Sequence, residues 1–381
     1  MLGKMAKALL LASVVSGLCA PAQANTTADD SAATPPVPGV TRLALMLPLR
    51  SGVFGAAADA VRTGFLTAYE REKEGIAITI IETGDTTQDM VDAYRTASDN
   101  YDVIVGPLSR SAVTAIAMSG KVLKPTIALA QPDLPAEAEP MLPKQMLMAG
   151  LSVEDEARQV ASWVEREKTP GKIFAVSTNV AWQKRAVKAF VTQARSIGMK
   201  VESLELSTPG NVLSASGLAQ LGQRVQAEQP ALLFVALDAS QAIQLRSAIG
   251  TDVALYGTSQ LNPLTLTGRT ADNRLPELDG VRLVDMPWQL QTDHPAVMIY
   301  PHALAAADAK PNADLERLYA LGIDAYRVAH EIAQQRSGFD IDGVTGKIHV
   351  NMVSGGTTYF QRAEMQAVYQ DGVPVPYADQ H

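Results

Sequence analysis

The sequence predicts an α/β protein of two lobes, each built on a parallel sheet, and three observations carry that expectation. Short aliphatic runs alternate with segments of helical spacing along most of the chain. The series breaks near residues 148–150 and then restarts. Of the 381 residues, 47% are hydrophobic and only 5% aromatic, which favours an aliphatic α/β core over an all-β sandwich or an aromatic-lined sugar groove.

The first unit is residues 41–69, TRLALMLPLRSGVFGAAADAVRTGFLTAY. An apolar strand over 43–47 ends at Pro48, a turn carries Gly52 and Gly55, and a helix places Val61, Phe65, Leu66 and Tyr69 on one face. Further strands are expected at 77–81, 103–105 and 126–129. Between them, Val91, Tyr94 and Ala97, then Val113, Ile116 and Ala117, have helical spacing.

The second series opens on a capped helix, LSVEDEARQVASWV. Ser152 is its N-cap, Asp155 and Glu156 complement the positive helix end, and Ala157, Val160, Ala161 and Val164 form its apolar face. Strands at 173–176, 200–204, 231–236 and 254–256 alternate with helices at 184–197, 214–227 and 240–249. A short strand is expected at 281–284 and an amphipathic helix at 315–332, with Leu315, Leu318, Leu321, Ala325, Val328 and Ile332 on one face. Two last strands lie in GVTGKIHVNM and MQAVYQDGVPV, joined through Gly355-Gly356, with a turn at Asp371-Gly372.

The leader is not part of the fold. Lys4 and Lys7, an uncharged apolar run over 8–20 and the small-x-small site Ala22-Gln23-Ala24 predict a signal peptide over 1–24. Residues 25–39, rich in Ala, Thr and Pro, read as a disordered tether. Losing Lys4 and Lys7 would take the formal charge from −8 to −10. An acidic chain with no basic run suits neither nucleic acid nor an anionic membrane.

The strand-Pro-Leu turn and the AVRTGF helix resemble the start of a type I periplasmic-binding-protein fold. Within that fold the chain most resembles the penicillin-binding protein activator (LpoA/LppC) family of Gram-negative envelopes. LPLRSGVF and LSVEDEARQVA are shared in part with amino-acid receptors of the same fold. The resemblance implies two Rossmann-like lobes joined by a hinge that the chain crosses three times. Residues 40–148 plus 285–335 would form lobe 1, and residues 149–284 plus 336–381 lobe 2. It also implies a non-enzymatic regulator that docks on a class A penicillin-binding protein and stimulates peptidoglycan synthesis. The alternative is a solute-binding receptor for a branched-chain amino acid or similar ligand of an ABC transporter. Members of the activator family are often outer-membrane lipoproteins, anchored through a lipidated cysteine. The only cysteine, Cys19, follows Ser16, Gly17 and Leu18, where the leucine and the small residue are misplaced for that reaction. A periplasmic chain starting at Asn25 is therefore expected ahead of lipidation at Cys19.

Catalytic signatures such as HExxH, a P-loop, GxSxG or CxxC are missing, and the five histidines lack metal-ligand spacing. No enzyme activity, cofactor or metal is expected. Ligands of parallel α/β sheets bind beyond the carboxyl ends of the strands. In lobe 1 those ends carry Arg50 and Ser51, then Ser109, then Gln131; across the cleft lie Asn179, Trp182, Asp238 and Thr258. Ser109 begins a helix, where it either caps or holds a carboxylate with free backbone N–H groups. Asp238 either receives a ligand ammonium or caps the next helix, and Trp182 either covers a ligand or packs at the hinge. Ala128 and Ala130 stand where amino-acid receptors often present hydroxyls, so weak amino-acid binding is expected.

Overall fold

A computed structural model describes residues 39–134, 142–168, 170–210, 212–302, 312–352 and 358–377. The signal peptide, Cys19, nearly all of the tether and Gly355-Gly356 lie outside the described residues.

The first sheet has five parallel strands: β1 (Thr41–Leu47), β2 (Ile76–Glu82), β3 (Val103–Val105), β4 (Thr126–Ala128) and β5 (Met146–Met148). Their order is β2-β1-β3-β4-β5, a doubly wound order. Helices α1 (Gly55–Tyr69), α2 (Thr87–Asn100) and α3 (Arg110–Met118) connect the first four strands. Leu43 to Leu47 are all buried, as a strand covered on both faces requires. Strand β5 was not expected. Met-Leu-Met is short and has no β-branched residue, and only pairing with β4 makes it a strand.

The chain then enters the second sheet through α4 (Val153–Arg166), which starts where the capping pattern placed it, with the Ser152 hydroxyl accepting from Asp155 N–H at 3.1 Å. Strands β6 (Lys172–Ser177), β7 (Lys200–Glu205), β8 (Leu232–Val235), β9 (Ala254–Gly257) and β10 (Arg282–Asp285) alternate with α5 (Ala181–Ser196), α6 (Ala215–Glu228) and α7 (Ala239–Ile249). The parallel part, β7-β6-β8-β9-β10, repeats the order of the first sheet.

After the short helix α8 (Pro287–Leu290), helix α9 (Ala313–Ala333) returns to lie along α1. The approach is backbone on backbone. A Cβ on Gly64 would sit 1.9 Å from the Tyr319 carbonyl oxygen, and one on Gly322 would sit 2.1 Å from that of Val61. The Gly in AVRTGF is thus a helix-packing glycine, and Phe65 beside it meets Tyr326 edge-on at 5.2 Å.

The last segment differs from the expected two strands. Strands β11 (Gly338–Asp342), β12 (Lys347–Asn351) and β13 (Tyr359–Ala363) form a separate antiparallel sheet. KIHVN alternates, with Ile348 and Val350 buried and Lys347 and His349 exposed. Ile341, Val344, Ile348 and Val350 pack into the core that α1 and α9 share, not the core of the second sheet. Of residues 336–381, expected to complete lobe 2, only β14 (Met365–Gln370) and β15 (Val373–Pro376, VPVP) join the second sheet, antiparallel beside β10. The turn expected at Asp371-Gly372 joins them. Among the described residues, no helix is long and apolar enough to cross a membrane, and no group of His, Cys, Asp or Glu could hold a metal.

Candidate functional site

The strand ends of both sheets open on a cleft of about 390 Å³. Of the eight side chains singled out from the sequence, Gln131 and Trp182 line it. Leu108, Leu129, Leu318 and Leu321 give it apolar walls. Three charges cross it: Arg185 Nε donates to Glu154 Oε1 at 2.7 Å, and Arg110 Nη1 lies 3.5 Å from the same oxygen. Arg110 comes from α3 and Glu154 from α4, so the bridge ties the first sheet's helices to the second's. Gln131 Nε2 makes a second, longer link to Asp155 Oδ2 at 3.5 Å.

Five of the other six make local contacts. Arg50 pairs with Asp89 at 3.1 Å. The Ser51 hydroxyl accepts from Val53 and Phe54 N–H ahead of α1. Ser109 caps α3, accepting from Ala112 N–H at 3.4 Å while its hydroxyl points to Met90 Sδ at 3.8 Å. Exposed Asn179 accepts from the Thr208 hydroxyl at 3.3 Å. Asp238 forms a capping box on α7 with Gln241. Thr258 is wholly buried, and its hydroxyl has no partner among the described residues.

The wall that carries Asp238 is cross-tied by two glutamines the sequence did not single out. Gln183 Oε1 accepts from the backbone N–H and the hydroxyl of Thr178, and its amide donates to Gln241 Oε1 at 2.8 Å. Both glutamines are buried. Asp238, Gln241, Gln183 and Thr178 are thus engaged with one another.

The chain passages between the sheets are held by a buried ionic cluster. Arg317 on α9 donates to Asp285 Oδ2 at 2.8 Å and to Oδ1 at 3.3 Å. It also donates to the carbonyls of Asn262 and Ser259, at 2.8 and 3.1 Å. Burial opposes its charge, but Asp285 outweighs burial and raises the Arg317 pKa. Asp285 accepts further from Asn262 Nδ2 and Met286 N–H. Glu156, which the sequence read as a helix-start charge, is buried and accepts from the N–H and hydroxyl of Ser259. Burial, against those two hydrogen bonds and with repulsion from Asp285, pushes its carboxyl up to about 7. Asp324 ties α9 to the third sheet by accepting from Val344 N–H and from the N–H and hydroxyl of Thr345. Arg362 joins the third sheet to the first passage through the carbonyls of Ala149 and Gly150. Sequence periodicity could not reveal this cluster, because its charged members lie up to 206 positions apart (Glu156 to Arg362).

Comparison with known proteins fits this architecture. The LppC putative lipoprotein family matches residues 36–371. The penicillin-binding protein activator LpoA of Vibrio cholerae is 28% identical over 346 residues, covering 82% of this chain and 54% of that protein. This chain therefore spans about half the length of the curated relatives it matches. A putative branched-chain amino acid ABC transporter structure from Chromobacterium violaceum superposes with a TM-score of 0.67 at 33% identity, covering 86% of this chain and all of that one. The LpoA C-domain from Haemophilus influenzae, a regulator of PBP1A, gives a TM-score of 0.67 at 20% identity, covering 89% of this chain and all of that one. The fold is that of type I periplasmic binding proteins, and the chain belongs to the LppC putative lipoprotein family.

Proposed function

We propose that the chain is a non-enzymatic regulator in the cell envelope that engages a class A penicillin-binding protein and raises its peptidoglycan synthesis. The observation that carries this reading is the likeness to a penicillin-binding protein activator across 82% of the chain. The cleft is consistent with it. Its lobe-2 polar groups are cross-tied, Ser109 and Asp238 serve as helix caps, and Ala128 and Ala130 offer no hydroxyl. Export to the periplasm by the leader, with Cys19 lost rather than lipidated, is part of the same proposal and is tested by N-terminal sequencing of the mature protein.

The test is reconstitution. The purified mature chain is mixed with a purified class A synthase, and binding and the rate of glycan polymerisation and cross-linking are measured. Complex formation with a raised rate supports the reading; no complex and an unchanged rate overturn it. The second reading, a solute receptor for a branched-chain amino acid, is favoured by the 33% identity to a putative transporter component. Micromolar binding of leucine or valine that is lost in Ser109→Ala would establish it in place of the regulator.

A further inference from the structure

A cavity of about 880 Å³, more than twice the volume of the cleft, lies between α4 and the strands β13 and β14. Four acids line it: Asp155 pairs with Arg158 and exposed Asp342 lies 3.6 Å from His294 Nε2, which leaves Glu156 and Glu364, the two that are buried or partly buried. The guanidinium groups near them are engaged elsewhere. Arg317 serves Asp285 and the carbonyls of Ser259 and Asn262. Arg362 serves Thr345 and the carbonyls of Ala149 and Gly150. Among the described residues, Glu156 receives only the two groups of Ser259. Glu364 is partly buried, and its Oε2 is sealed from solvent without any hydrogen-bond partner among the described residues. The Gln159 amide, which could have served it, is bonded to the Glu364 backbone instead. A buried carboxylate oxygen without a donor costs stability unless something supplies one.

Two exposed cations line the same cavity, Arg166 at the end of α4 and Lys347 on β12. Neither has an ion-pair partner among the described residues, unlike Arg158, which pairs with Asp155. Leaving aside the paired groups, unpaired acid thus lies inside and unpaired cation outside. The amides of Gln193, Gln291 and Gln366 are further lining groups with both donor and acceptor atoms. The volume falls in the range of small-molecule sites and exceeds the needs of a single amino acid.

We propose that this cavity binds a short peptide with a free amino terminus. Its ammonium donates to Glu364 and Glu156, its peptide groups meet the glutamine amides, and its carboxylate faces Lys347 and Arg166. The site is separate from the interlobe cleft and does not depend on the activator reading.

The experiment is calorimetric titration of the whole mature chain with trialanine and with N-acetyl-trialanine, whose ammonium is removed. Trialanine is expected to bind with a Kd below about 1 mM and the acetylated peptide at least about tenfold more weakly. Glu364→Gln should weaken trialanine binding about tenfold or more, and the exposed Lys347→Glu about threefold or more, while Trp182→Ala in the cleft leaves it unchanged. Lys347→Glu keeps the test valid should Glu364→Gln fail to fold. No heat from trialanine up to about 10 mM, equal binding of the acetylated peptide, indifference to the substitutions at 364 and 347, or loss of binding in Trp182→Ala would each overturn the proposal.

Discussion

Replacing Arg317 by methionine removes the cation of the hinge cluster while keeping much of its bulk. Asp285 is 0% exposed and Arg317 5%, so this is a fully desolvated pair. Breaking such a pair by removing one partner typically costs about 3–5 kcal/mol, because the remaining charge stays buried without compensation. Two features place the cost at the lower end, about 3 kcal/mol: Asp285 keeps its hydrogen bonds from Asn262 and Met286, and it can take up a proton. The carbonyls of Ser259 and Asn262 also lose their donor, which adds to the loss. Urea unfolding of both proteins, followed by circular dichroism, reads the difference. Asp285→Asn in the Arg317→Met background should recover part of it, since the stranded charge is then gone. A loss below about 1 kcal/mol with no recovery in the double variant would refute the view that this pair holds the passages between the sheets.

The remaining expectations concern other parts of the molecule. Gly64→Ala and Gly322→Ala should each destabilise by several kcal/mol or give insoluble protein, because the added Cβ meets backbone rather than a side chain; thermal melts check this. Glu156 has a folded pKa near 7, above its unfolded value, so its contribution is fully present below the unfolded pKa and is lost as pH rises towards 7. Stability measured between pH 5 and 8 should therefore fall with rising pH, and Glu156→Gln should flatten the slope. Leucine, valine and glutamate should bind the ligand-stripped protein more weakly than about 100 µM by calorimetry, because Asp238, Gln241 and Gln183 are engaged with one another and Ala128 and Ala130 offer no hydroxyl.

The sequence revealed those parts of the fold that depend on local pattern. Aliphatic runs marked β1, β6 and β8, and the Ser152 cap marked the start of α4 to the residue. Strand β5 escaped because three residues without β-branching carry no periodic signal; the strand expected in GVTGKIHVNM is β12, but its partners β11 and β13 escaped because the role of this sheet depends on α9 covering one face. The candidate site was less legible for a related reason. Rules for strand ends locate a cleft, but they do not say whether a polar side chain there faces a ligand or a neighbour. Asp238 has the same sequence context in either case, and only Gln241 and Gln183 decide it. Glu156 looks like any helix-start acid until Ser259, 103 positions away, is placed against it.

The VPVP strand bears on how another protein could attach. Tyr377 N–H points inward to the Gln366 carbonyl, and side alternates along a strand, so the nitrogens of Pro374 and Pro376 point outward. That border of the seven-stranded sheet therefore offers an incoming strand no N–H at either proline, and it is closed to growth by strand addition. A partner that binds by extending a sheet has to use another border: β2 or β5 of the first sheet, β7 of the second, or β11 or β13 of the third. Docking on the β15 side has to proceed without backbone N–H donors at these positions, through side chains and the outward carbonyls of Pro374 and Pro376.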